Sequence, residues 1–248
     1  MRLKWDQVGE RVFEAGVDQG VLYLDTADGV PWNGLISVSE SPSGASLSEY
    51  YIDGVKYLQL LGAEQFAGSI EAFTYPDEFA ACDGTKPAGN GLFMTHQPRQ
   101  SFGLSYRTKV GNDVEGIDLG YKIHLIYNAL AAPSQKQNNS LSDTVDAGHF
   151  NWQITTKPPT FAGYKPTAHM VIDSRETPTD LLAQIEDILY GSVDSAPRLP
   201  SATELLFLFN SYEANYFDAG YLTEEYFNGF DAGLIADPQT ALIDGGTP

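Results

Sequence analysis

Three stretches of period-two alternation constrain this chain more than any other feature. Phe102, Leu104, Tyr106 and Thr108 alternate with Ser101, Gly103, Ser105 and Arg107. Leu119, Tyr121, Ile123, Leu125 and Tyr127 alternate with Gly120, Lys122, His124, Ile126 and Asn128. Phe150, Trp152, Ile154 and Thr156 alternate with His149, Asn151, Gln153 and Thr155. Successive side chains of a strand point to opposite faces, so each stretch predicts a strand with one buried aromatic or β-branched face and one polar face. Sheets with one covered and one wet face are antiparallel, and a mainly β, antiparallel fold is expected. Shorter strand candidates lie at Val12 to Glu14, Val21 to Leu24, Leu35 to Val38, Ser69 to Phe73 and Ala168 to Ile172.

Local signals place one turn and one long helix. Asp53-Gly54 sits between Tyr50 to Ile52 and Val55 to Leu58. Asp-Gly supplies the two positive φ angles of a type I′ turn, whose twist suits a hairpin. The expected register sets Ile52 opposite Val55 and Tyr50 opposite Tyr57. Thr177-Pro178-Thr179-Asp180 reads as a capping-box-like helix start and Gly191 as its stop. Between them Leu181, Leu182, Ile185, Ile188 and Leu189 form one apolar stripe that must pack on the sheet. A shorter helical turn is expected at Pro76 to Ala81, and Ser192 to Pro200 reads as a connector. Ser201-Ala202-Thr203-Glu204 is a candidate cap for a second helix through Phe209.

A chain of 248 residues is long enough for a sizeable core. Its charge is lopsided, with 33 Asp plus Glu against 14 Lys plus Arg and a formal net charge of −19. Proteins that grip duplex DNA do so by supplying Lys and Arg to the phosphates, so broad DNA gripping is disfavoured and DNA repulsion is not. Cys82 is the one cysteine, which excludes an intrachain disulfide framework and a thiolate cluster. No apolar run approaches the length of a transmembrane helix, and the N-terminus lacks a signal-peptide stretch. A cytoplasmic product with no membrane role is therefore expected. The sequence divides into a β domain over residues 1–200 and an arm over residues 201–248. That arm holds 8 acidic residues and no Lys or Arg, yet it also carries Tyr216, Phe217, Tyr226, Phe227 and Phe230. Aromatics in such number are costly to leave wet, so these five are candidates for docking on another surface.

Catalytic and metal-binding patterns are hard to find. His96, His124, His149 and His169 are well separated, with no His-x3-His pair and no cysteine companion. Only a metal site assembled across strands stays open. His124 and His149 fall on the polar faces of their strands, where solvated side chains are expected. Ser105 lacks the second glycine of a nucleophile elbow and lies within a strand. Gly111-Asn112-Asp113-Val114-Glu115-Gly116-Ile117-Asp118 offers oxygen ligands at alternate positions but lacks the closing Glu of a calcium loop, and it reads as an acidic hairpin loop. No residue is singled out as catalytic, cofactor-binding or metal-ligating, and no cofactor is expected. Acidic, aromatic-rich β proteins do bind sugars, so a carbohydrate-binding or glycosidase domain stays as an alternative.

Several stretches resemble the major tail protein (tail tube protein) family of long-tailed, siphovirus-type bacteriophages of Gram-positive hosts. They are Trp5 to Arg11 with Phe13 to Val17, Tyr50 to Leu58, Phe73 to Phe79 with Cys82-Asp83-Gly84, and Gln97-Pro98-Arg99 leading into Phe102 to Thr108. Gly111 to Gly116, Leu130 to Ser134, Ile188 to Gly191 and Pro197 to Pro200 complete the set. The resemblance spans residues 5 to 200 and stops beyond Phe209. It implies a β-sandwich or barrel flanked by an amphipathic helix, six copies to a ring, and rings stacked into a tube for genome delivery. It further implies a non-enzymatic structural subunit of the virion tail, assembled in the host bacterial cytoplasm. The implied partners are further copies of the chain, the tape measure and other tail proteins, with DNA passing through the lumen without tight binding. A tail terminator or another tail or neck component is the alternative within the same group. On this reading the lumen lining should be acidic or small and polar. Asp53, Gly54, Gly111, Asn112, Asp113, Glu115 and Gly116, in the two hairpin loops, are candidates for stacking contacts.

Overall fold

The computed structural model describes residues 2–218, apart from Thr26, Ala45, Gln135, Gln137, Asn139, residues 141–147 and Ala162; Ala27 and residues 213–218 are described as backbone only. The first strands are β1 (Phe13–Leu24), β2 (Ala27–Pro31), β3 (Leu35–Glu40), β4 (Leu47–Ile52), β5 (Val55–Leu61) and β6 (Ala67–Ala72). A 3-10 turn at Asp77–Ala81 precedes β7 (Lys86–Gly89), β8 (Leu92–Met94), β9 (Phe102–Asn112), β10 (Gly116–Ala131), β11 (Phe150–Thr156) and β12 (His169–Asp173). Helices α1 (Thr179–Tyr190) and α2 (Ala202–Asp218) follow. The chain divides into two compact units, Met1–Ala202 and a second beginning at Thr203. The architecture is mainly β and antiparallel with a flanking helix, as the alternation requires.

The main sheet runs β2-β1-β9-β10-β11-β6-β3, with β12 paired to β10. It curls until β3 returns toward β1. The Trp32 amide donates to the Gly20 carbonyl at 2.7 Å, and a Cβ on Gly20 would lie 2.9 Å from Leu35 Cδ2. Glycine at position 20 therefore lets the two walls meet. The enclosed core gathers Leu22, Trp32, Ile70, Phe79, Leu104, Tyr106, Ile126, Trp152 and Ile154. Trp152 is its centre, with ring centroids 5.1 Å from Phe79, 5.4 Å from Tyr75 and 5.9 Å from Trp32. Its indole N–H donates to Asp83 Oδ1 at 3.1 Å. Asp83 is itself buried, and Lys136 at 2.6 Å and Arg99 at 3.4 Å compensate its charge.

Helix α1 covers the other face of the central strands. It buries Leu181, Leu182, Ile185 and Leu189. The Tyr23 hydroxyl donates to the Leu189 carbonyl at 2.8 Å, and the Tyr121 hydroxyl to Glu186 Oε1 at 2.7 Å. Because the Tyr23 proton is spent on Leu189, Ser105 Oγ donates to Tyr23, 3.1 Å away, inside the sheet.

The structure corrects three local expectations. Strand β10 has no wet face over its centre, because His124 and Ile126 are buried on the core side while Ile123, Leu125 and Tyr127 are buried on the other. The helix begins at Thr179 with Pro178 as its cap residue and no side-chain cap, because the Thr177 hydroxyl donates instead to the Asp173 carbonyl. In the β4–β5 hairpin Ile52 does face Val55, but a bulge sets Tyr50 opposite Leu58 and not Tyr57. Residues 192–200 form the expected connector, without helix or strand, and are held along its length: Gly29 donates to Pro197 O, the Arg198 amide to Ile188 O, and the Tyr127 hydroxyl to Pro200 O.

Candidate assembly surface

Strands β4 and β5 pair with each other as a separate two-stranded sheet, and every residue in both is exposed. Asp53 and Gly54 have φ of 52° and 75°, the positive pair of the expected type I′ turn. The register puts Tyr50, Ile52, Val55, Leu58 and Leu60 on one face. On the opposite face Glu49 accepts from Lys56 and from the Tyr51 hydroxyl, 2.7 Å away. Leu47 and Leu61, paired on that second face, are exposed as well, and the first face is the more apolar of the two; Val55 is 69% and Tyr50 53% exposed. Two strands alone are marginal in water, and burying five such side chains stabilises by on the order of 10 kcal/mol gross. Leu92, Phe93 and Met94 of β8 are also exposed, in a second small hairpin formed with β7.

The loop candidates divide by environment. Gly111 and Asn112 are buried at the end of β9, whereas Asp113, Glu115 and Gly116 are exposed. A Cβ at Gly111 would run into the Gly116 carbonyl and the Phe13 ring. Asn112 Oδ1 accepts from the amides of Val114 at 3.0 Å and Glu115 at 2.6 Å, which closes the turn. Asp113 Oδ1 accepts from the Gly9 amide at 2.9 Å, Asn112 Nδ2 donates to the Gly9 carbonyl at 3.3 Å, and Arg11 lies 3.7 Å from Asp113. These side chains tether the N-terminal segment, which presents Trp5 and Val8 to solvent. Sequence reasoning saw the loop and missed the tether, because residues about a hundred positions apart carry no local signal of contact.

The outward face of the β3-β6-β11 wall has a distinct composition. Register places Ser37 beside Glu71, Ser39 beside Ser69, and these beside Asn151 and Gln153 of β11. Asn151, Gln153 and Thr155 are exposed, while Trp152 and Ile154 between them are buried. None of the three strands contains Lys or Arg. His149 at the end of this wall is solvent-facing, as expected, and its Nε2 lies 2.9 Å from Glu71. The basic residues of the sheet lie elsewhere, on β9 and β10: Arg107 pairs with Asp18 through contacts of 2.7 and 3.0 Å, and Lys122 with Glu14.

Three side chains that looked unrelated in sequence meet at one end of the core. His124 is buried rather than solvated, stacked on Tyr106 with centroids 4.6 Å apart and planes 4° from parallel. Its Nδ1 lies 3.1 Å from His169 Nε2 and 3.5 Å from Glu40 Oε1. Burial pushes the His124 imidazole down to about 4 and lowers that of His169 as well, so both rings are neutral near pH 7.

The docking candidates Tyr226, Phe227 and Phe230 lie outside the described residues, and Tyr216 and Phe217 are described only as backbone of α2. Of two surface clefts, the one between Tyr23 and Ser201 holds a single carboxylate, Asp25; the one lined by Asn128, Thr155 and Lys157 holds none. No family model matches the sequence, and no curated protein does. Among solved structures, the sheath–tube complex of an extracellular contractile injection system (PVC) in its extended state aligns over 62% of this chain and 88% of that chain. Identity is 12% and the TM-score 0.33, too low to assign fold or role.

Proposed function

We propose that this chain is the repeating subunit of a tail tube: a structural, non-enzymatic protein whose copies join into six-membered rings stacked around a channel for DNA. The observation that carries the reading is the β4–β5 hairpin, which holds five large apolar side chains in water beside a domain whose core is already closed. An exposed apolar face on a two-stranded sheet with unpaired outer edges marks an interface. The occupant is a second copy of the chain, since tube growth repeats one contact between identical subunits. The β3-β6-β11 wall supports the channel half of the proposal. Small polar groups and one carboxylate, with no Lys or Arg, give phosphates nothing to bind by counterion release. The sequence resemblance over residues 5 to 200 points the same way. Within such a tube the tape measure and other tail proteins are the further partners, and the location is the virion tail.

Negative-stain microscopy of the full-length protein at high concentration tests the reading. Rings or tubes are expected from the parent chain. The double variant Tyr50→Glu, Leu58→Glu should remain as single particles while its melting temperature moves by less than about 2 °C, because both sites are already exposed. Monodisperse parent protein at every concentration, or a double variant that assembles like the parent, overturns it.

A further inference from the structure

We propose that Glu40, His124 and His169, brought together from β3, β10 and β12, form a binding site for a divalent transition metal, with zinc the best fit. The three candidate donor atoms, Glu40 Oε1, His124 Nδ1 and His169 Nε2, lie within 4.8 Å of one another. Their separations are 3.1 Å between the two nitrogens, 3.5 Å from Glu40 to His124 and 3.7 Å from Glu40 to His169. Metal–ligand bonds of about 2.0–2.2 Å in a tetrahedron place neighbouring donors about 3.3–3.6 Å apart, so the triangle is that of one tetrahedral face. Two imidazoles and a carboxylate suit zinc, with a water in the fourth position. Calcium and magnesium prefer all-oxygen shells.

The groups behind the donors are placed as metal ligation requires. Thr108 Oγ1 lies 3.0 Å from His124 Nε2 and can accept its proton, the tautomer that turns the Nδ1 lone pair toward the site. The Tyr106 hydroxyl donates to Glu40 Oε1 at 3.0 Å and its ring fixes the plane of His124. In that tautomer a single N–H, on His169 Nε2, lies between the His124 lone pair and the Glu40 carboxylate, and a cation would serve all three donor atoms together. Glu40 ends β3, the last strand of the main order, His124 sits on the central strand β10 and His169 on β12, which pairs with β10, so the ion would tie β3 to the β10–β12 pair. This inference does not depend on the tube reading.

Full-length protein stripped with a chelator and then titrated with zinc chloride in calorimetry should bind one ion per chain with a micromolar or tighter Kd. Cobalt in place of zinc should develop the visible absorption of a tetrahedral ion. Glu40→Gln and His169→Gln should each weaken zinc binding at least about 10-fold, whereas His149→Gln, at the exposed pair with Glu71, should leave it unchanged. Zinc should also raise the melting temperature of the parent and not of Glu40→Gln, whose half-exposed side chain allows the apo fold to persist. Absent zinc heat, affinity within twofold of the parent for both Glu40→Gln and His169→Gln, or loss of binding in His149→Gln alone overturns the site.

Discussion

The two walls of the β domain start from the same alternation and end in different environments. In β11 Asn151, Gln153 and Thr155 face solvent, and one side of the strand is bare. In β10 both sides are covered between Ile123 and Tyr127, one by the aromatic core and the other on the face that Tyr23 and Tyr121 tie to α1. Alternation decides which residues share a face. Whether that face stays wet depends on what else the chain lays over it, and α1 has an apolar stripe for one wall only. The covered wall carries stability, and the bare wall faces solvent.

Removing side chains from each wall should break the symmetry of the pattern. Ile185→Ala takes a fully buried side chain from the covered wall and should cost about 2–5 kcal/mol in urea denaturation. Gln153→Ala on the bare wall should stay within about 0.5 kcal/mol. Equal losses would mean that the bare wall is packed after all. A smaller effect is expected at Asp18→Asn, which removes the two-pronged contact with Arg107 at the edge of the covered wall. The Arg107 hydrogen bond holds the Asp18 carboxyl below its ordinary value. Its stabilisation is therefore complete above the unfolded pKa near 4 and fades as pH falls through the lower folded value. With Asp18 a third exposed, the loss at pH 7 should be about 1 kcal/mol, and parent and variant should converge once the pH lies below the lowered folded value. A small stability change and a distinct functional one are expected from the pair Ser69→Lys, Gln153→Lys. The two lysines face each other across β6 and β11, so folding should weaken by no more than about 1 kcal/mol, yet the assemblies proposed above should acquire duplex-DNA binding that weakens steeply with salt. Lysines there that leave DNA binding unchanged would remove this wall from the proposed channel.

Much of the architecture was legible because local chemistry dictated it. Asp53-Gly54 forms its turn through positive φ, and Trp152 and Ile154 go inward while Asn151 and Gln153 go outward. The helix appears within a residue or two of its expected bounds and is stopped by Gly191 at φ 84°. The loop Gly111 to Gly116 was recognisable as a hairpin turn, but its hold on Gly9 was not. The bulge between Tyr50 and Tyr51 escaped notice, since one extra residue changes pairing without changing composition. Most of all, the cluster of Glu40, His124 and His169 had no sequence signature. His124 and His169 are 45 positions apart and meet only because β10 and β12 pair.

By itself the sequence determined the period of each strand, the turn chemistry, the amphipathic helix α1, the start of α2 and the deficit of basic charge, while α2 runs to Asp218 and not to the expected Phe209. Each of these depends on neighbours a few residues away or on composition alone. Tertiary structure decided which faces were covered, which apolar hairpin was left bare, and which distant donors converged. Those outcomes follow from strand order and sheet curvature, which are set by the packing of the whole core and by no single segment.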